Sequence, residues 1–160
     1  SRDAVKYNIG KTGIEAEVFA HGKVPLAFSW RCYASRAHGL TKTGCRHHCA
    51  EYPDGMEIRS LDGEPLFTVN GTSLLGAGIY TLIEFVDDLR EIGVKALRIS
   101  PQKRDTGRVV EIFRRRAKGE MTSQEALDGL KTLYDTARFS NGWYLGGAGK
   151  DYLTGEWRED

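Results

Sequence analysis

No apolar run among the 160 residues approaches the roughly 18 that a membrane-spanning helix needs, so no such span is expected. The opening residues Ser1-Arg2-Asp3-Ala4-Val5-Lys6-Tyr7 lack the apolar stretch of a secretory signal, and a reducing cytoplasm is the expected compartment. The sequence does not begin with Met, which points to a processed chain or to part of a longer protein. Charge of one sign is missing too. Lys plus Arg total 23 against 22 Asp plus Glu, a balance that argues against bulk electrostatic capture of nucleic acid. Three cysteines are an odd number, so they cannot all pair within one chain, and in a reducing compartment cysteines more often bind metal or react than crosslink.

What is present fits a folded chain. Hydrophobic residues at 40% and charged residues at 28% are ordinary values and exclude a disordered tail as the whole explanation. The length suits a single domain over residues 1–160 with a sizeable core. The first half reads as strands and loops. Ile14-Glu15-Ala16-Glu17-Val18 alternates, Val24-Pro25-Leu26-Ala27-Phe28 is a short apolar run, and Met56-Glu57-Ile58-Arg59 and Pro65-Leu66-Phe67-Thr68-Val69 flank the hairpin signal Asp62-Gly63.

The second half changes period. Leu82, Phe85, Val86 and Leu89 have helical spacing up to Gly93, and Val94-Lys95-Ala96-Leu97-Arg98-Ile99 reads as a strand stopped by Ser100-Pro101. Asp105 or Thr106 caps a helix carrying Val109, Ile112 and Phe113, and Thr122 to Glu125 is a capping box before Ala126, Leu127 and Leu130. This order is the rhythm of a parallel α/β sheet or barrel. A lone piece of barrel leaves edges uncovered, so the expectation is a fragment of a longer barrel protein.

The chemical signal is Cys32, Cys45 and Cys49, spaced C-x12-C-x3-C. On a helical turn Cys45 and Cys49 share a face with Cβ atoms about 5–6 Å apart, too far for a good disulfide but suited to one metal centre. Three readings stay open. Three thiolates are one short of the usual four ligands of an iron–sulfur cluster. His48, three residues after Cys45, completes a Cys3His zinc set in which every ligand is present, with His47 pointing away. A cysteine nucleophile with a histidine base is the weakest, since no protease signature appears. Against all three stands an ordinary buried cysteine. Arg31 and Arg46 are placed to offset thiolate charge.

Other features carry less. Arg98, near the C-terminal end of its strand, is a candidate for an anionic substrate or for a structural ion pair. His21 reads as a solvent-facing turn histidine. Arg114-Arg115-Arg116 spreads around a helix and reads as a solvated face. Gly142-Trp143-Tyr144-Leu145-Gly146-Gly147-Ala148-Gly149 is too Gly-rich for a regular element and lacks P-loop spacing.

Taken together, Glu17-Val18-Phe19-Ala20-His21-Gly22, Pro25-Leu26-Ala27-Phe28-Ser29-Trp30-Arg31-Cys32-Tyr33 and Cys45-x3-Cys49 resemble the collagenase-like peptidase family. The likeness continues through Tyr52-Pro53-Asp54-Gly55, Leu66-Phe67-Thr68-Val69-Asn70-Gly71, Leu97-Arg98-Ile99-Ser100-Pro101 and Asn141-Gly142-Trp143-Tyr144, over residues 1–149. It is strongest to the branch that acts in oxygen-independent ubiquinone biosynthesis. The resemblance implies the C-terminal part of a (β/α) TIM-barrel-like fold, with Cys32, Cys45 and Cys49 as ligands of a [4Fe–4S] cluster whose remaining ligand lies outside this chain. It further implies a UbiU-like protein as heterodimer partner, a lipid-carrier protein of the same pathway, a prenylated phenol as substrate and prephenate as hydroxyl donor. Arg98 then faces a donor carboxylate. Members described as peptidases carry a Gly-Arg-Ser-Ala-Asn-Arg-like stretch before the second cysteine. Here that stretch is Arg36-Ala37-His38-Gly39-Leu40-Thr41-Lys42-Thr43-Gly44, which counts against peptidase and RNA-hydroxylating members.

Overall fold

A computed structural model describes residues 1–41, 43–103, 105–134 and 138–154. The chain runs α1 (Arg2–Thr12), β1 (Ala16–Gly22), β2 (Pro25–Phe28), α2 (Tyr33–Ala37), a 3-10 turn (His48–Glu51), β3 (Met56–Arg59), β4 (Pro65–Asn70), β5 (Ser73–Gly76) and β6 (Ile79–Thr81). A second 3-10 turn (Ile83–Phe85), α3 (Val86–Glu91), β7 (Val94–Ile99), α4 (Thr106–Ala117), α5 (Ser123–Lys131) and β8 (Phe139–Ser140) complete it. No helix among the described residues is long and apolar enough to cross a membrane.

Two compact units result. The first combines Ser1–Gly22, Gly78–Pro101 and the described part of 105–160; the second is Lys23–Ala77 with Gln102 and Lys103. The first unit holds a sheet in the order β7-β1-β6-β8. β1 pairs parallel with β7 and antiparallel with β6, and β6 pairs parallel with β8. The expected parallel rhythm therefore holds for two pairs of strands, but the described strands make two open sheets and no closed barrel. Helices cover the sheet with the apolar stripes that the sequence shows. Val86 and Leu89 of α3, Val109 and Phe113 of α4, and Ala126, Leu127 and Leu130 of α5 are all buried. The Thr122–Glu125 capping box forms as expected, satisfying both the Glu125 and Thr122 backbone N–H groups.

Two expectations are corrected in this unit. His21 lies in β1 at 1% exposure, not in a solvent-facing turn. The strand continues past the alternating segment because Gly22, at φ 119°, lets the chain pass against Ser100; a Cβ there would lie 2.7 Å from the Ser100 Cβ. Arg116 is the second. Arg114 pairs with Glu111 and Arg115 with Glu120 in solvent, but Arg116 is buried and pairs with Asp87, leaving its own Nε without a partner. Three successive helical residues cannot all face water when the helix packs along one side.

The Gly-rich segment near the end is a closed loop, as its composition suggests. Asn141 is fully buried; its Nδ2 donates to the Leu153 carbonyl at 3.0 Å and its Oδ1 accepts from Leu153 N–H at 2.7 Å. A Cβ at Gly142 would collide with the Ala148 carbonyl, and one at Gly149 with the Trp143 ring.

The second unit is a four-stranded antiparallel sheet, β2-β5-β4-β3, with α2 and the His48–Glu51 turn. The β3–β4 hairpin forms where Asp62-Gly63 predicted it, with Gly63 at φ 83° in the turn.

Candidate metal centre

Cys32, Cys45 and Cys49 all fall in the second unit, and all three are free thiols. Cys32 caps the N-terminus of α2. Its Sγ accepts from the Ser35 N–H at 3.4 Å, and hydrogen bonding from Ser35, its side chain first and this backbone N–H second, lowers the Cys32 thiol below its ordinary range. A thiolate held in this way has the form that a metal requires. Cys45 is exposed in an irregular stretch, and Cys49 is half-buried in the His48–Glu51 turn.

The helical turn expected to align Cys45 with Cys49 does not form. His47 takes a left-handed conformation, φ 55° and ψ 39°, immediately before the 3-10 turn. One such residue ends any helical register between the two cysteines. Their four-residue spacing therefore does not by itself put them on one face. Arg31 and Arg46 are exposed in the same unit.

A different set of side chains comes together in the same unit. The ligand atoms of His38, His48 and Glu51 all lie within 4.8 Å of one another. In a 3-10 turn residues i and i+3 eclipse, so His48 and Glu51 stand on one side, and His48 Nδ1 lies 2.8 Å from Glu51 Oε1. His38 ends α2, with its N–H donating to the Ala34 carbonyl at 3.2 Å. Its ring stacks on that of His48 at 4.8 Å between centroids and 20° between planes. His48 belonged to one sequence reading; His38 and Glu51 to none. The available signal was the i,i+3 pair of histidine and glutamate, legible only to a reader who expected a 3-10 turn.

The remaining candidates lie in the first unit. Arg98, on β7, pairs with Glu17 of β1 and is 67% exposed. Register explains the pairing, since Phe19 lies opposite Arg98 across the parallel ladder and Glu17, two residues before Phe19, is on the same face. His21 hydrogen-bonds Tyr134 Oη at 2.9 Å through Nε2 and Thr81 Oγ1 at 3.3 Å through Nδ1, with Phe113 edge-on at 5.6 Å. Burial pushes its pKa down to about 4, so the ring is neutral at pH 7.

No solved structure matches the chain. The sequence model of peptidase family U32 matches residues 4–153, a span that includes all three cysteines and both units, and the chain therefore belongs to peptidase family U32.

Proposed function

We propose that the chain is a UbiV-like iron–sulfur protein. With a UbiU-like partner it hydroxylates a prenylated aromatic ubiquinone precursor without O2. The observation that carries this reading is the C-x12-C-x3-C set, in which all three thiols are free and lie in one unit. That donor set suits iron and sulfide, and the hydrogen bond to Cys32 Sγ suits a thiolate ligand. Cys32, Cys45 and Cys49 would hold a [4Fe–4S] cluster, with one more ligand from outside the chain. When bound, such a cluster supplies one-electron redox chemistry.

The chain's own residues hold the thiolates, orient the donor and keep out competing reactions. Arg98, which shares its guanidinium with the exposed Glu17, is the candidate for a carboxylate of prephenate. In the net exchange a ring C–H becomes C–OH while the donor's C–OH becomes C–H. The ring carbon loses two electrons and the donor carbon gains them. The same reading takes the first unit as part of a (β/α) barrel completed by chain outside residues 1–160, and it places the protein in the cytoplasm with a lipid-carrier protein delivering substrate.

Full-length protein purified without oxygen should contain iron and inorganic sulfide in equal amounts, with visible absorption that bleaches in air. Disrupting its gene should lower ubiquinone only in cells grown without oxygen, and Cys32→Ala should do the same. Stoichiometric zinc without sulfide would replace this reading with a Cys3His module using His48. Unchanged ubiquinone with loss of a hydroxylated nucleoside would replace it with an RNA-hydroxylating member.

A further inference from the structure

We infer that His38, His48 and Glu51 form a second metal site, distinct from the cysteines, that takes one divalent first-row transition ion of the zinc class. Two imidazoles and a carboxylate are a recurrent three-ligand set for such ions, and they leave a position open for water or an incoming ligand. The geometry is close to closing. Around a tetrahedral ion with bonds of about 2.0–2.2 Å the donor atoms lie about 3.4 Å apart. Here all three donors already lie within 4.8 Å, and His48 and Glu51 are in hydrogen-bond contact. The difference is within reach of side-chain rotation, because His38 and Glu51 are both exposed.

The backbone supports the arrangement from two sides. The end of α2 fixes His38, and the 3-10 turn, held by Ala50 N–H to the His47 carbonyl at 2.8 Å and Tyr52 N–H to the Cys49 carbonyl at 3.1 Å, fixes the other two. Cys49 follows His48 by one residue, about 120° around a 3-10 turn, so it leaves that side of the turn. An ion on the triad would join the end of α2 to the turn and close the irregular segment that carries Cys45.

A second observation asks for such a clasp. Of the fully buried hydrophobic residues described, only Ala34 and Val69 belong to this unit. A unit of this size without an apolar core commonly depends on a metal or another staple.

The test is a Co2+ titration of tag-free, full-length protein under anaerobic conditions, beside a variant with Cys32, Cys45 and Cys49 replaced by Ser. One equivalent of Co2+ should bind with visible ligand-field absorption and without a near-ultraviolet sulfur-to-metal band, and the serine variant should bind equally well. His38→Ala and Glu51→Gln should each weaken binding by roughly the ten- to hundredfold seen when a metal site loses even a supporting group, or by more. A sulfur-to-metal band at the first equivalent, or affinity unmoved by both variants, overturns the proposal. If circular dichroism shows the serine variant unfolded, the two single variants in the native sequence decide alone. Loss of the iron–sulfur reading leaves this result untouched, because iron and sulfide are measured separately.

Discussion

The two units solve stability in different ways. The first buries Leu82, Ile83, Leu89, Leu130 and Val109 almost completely and surrounds them with helices whose apolar stripes are regular. The second leaves Phe28 80% exposed and Trp30 99% exposed, and every residue of β2 faces solvent. Yet the second carries all three cysteines and the His38–His48–Glu51 group. On the metal readings proposed above, a region rich in ligands and poor in buried carbon would gain its order from what it binds, whereas the first unit has its order from packing.

The sharpest way to break this contrast is to remove metal. Chelation of the anaerobic protein, or Cys45→Ala, should strip hydrogen-exchange protection from residues 23–77 and leave 78–101 and 105–134 protected. Equal loss in both units would show that they share one source of stability. In the first unit, Leu130→Ala should cost about 2–5 kcal/mol, since Leu130 has no exposure and its removal opens a cavity. Chemical denaturation would measure this.

Acid should act on the first unit as well. Its buried His21 has a folded pKa of about 4 against an ordinary 6.5, so below 6.5 the unfolded chain takes up the proton first. Stability is therefore full above pH 6.5 and falls by up to about 3 kcal/mol as the pH drops to 4. His21→Leu should flatten that slope; a slope unchanged in the variant would place the titrating group elsewhere.

Asp88 supplies a smaller effect. It accepts from Arg2 Nε at 2.9 Å and from Nη2 at 2.6 Å, and also from the Tyr144 hydroxyl. Its carboxyl lies below the ordinary range because, against its own burial, Arg2 and Tyr144 hydrogen bonds favour the charged form. Asp88→Ala should destabilise the first unit by about 2–3 kcal/mol, less than a fully buried pair because Asp88 keeps some solvent. The smallest effect is expected in the second unit. Trp30→Ser should change stability by no more than about 0.5 kcal/mol, because a side chain with almost no contacts has little to lose.

Local pattern explains which parts were legible. The α4 and α5 helices, β7 and the β3–β4 hairpin are set by periodicity, a capping box and an Asp-Gly turn, all readable within about a dozen residues. The α1 helix was missed because none of its residues is buried and no apolar stripe marks it. β5 and β6 are short and separated only by Ala77 and Gly78, so neither is long enough to show a period of its own. His21 was misread because its partner Tyr134 is 113 positions away. At the candidate metal centre the cysteine spacing was plain, but the left-handed turn at His47 was not, and that turn sets the local geometry.

The order of the sheet strands along the chain also sets a timetable. β1 is made early, but its partners β6 and β7 follow only after the whole of Lys23–Ala77. The inserted unit pairs neighbours in sequence, β3 with β4 and β4 with β5, and such local contacts form quickly. During synthesis the inserted unit can thus assemble while β1 still waits, unpaired, for strands not yet made. Loop closure across the insertion, rather than hairpin formation, should then limit the rate at which the mixed sheet appears.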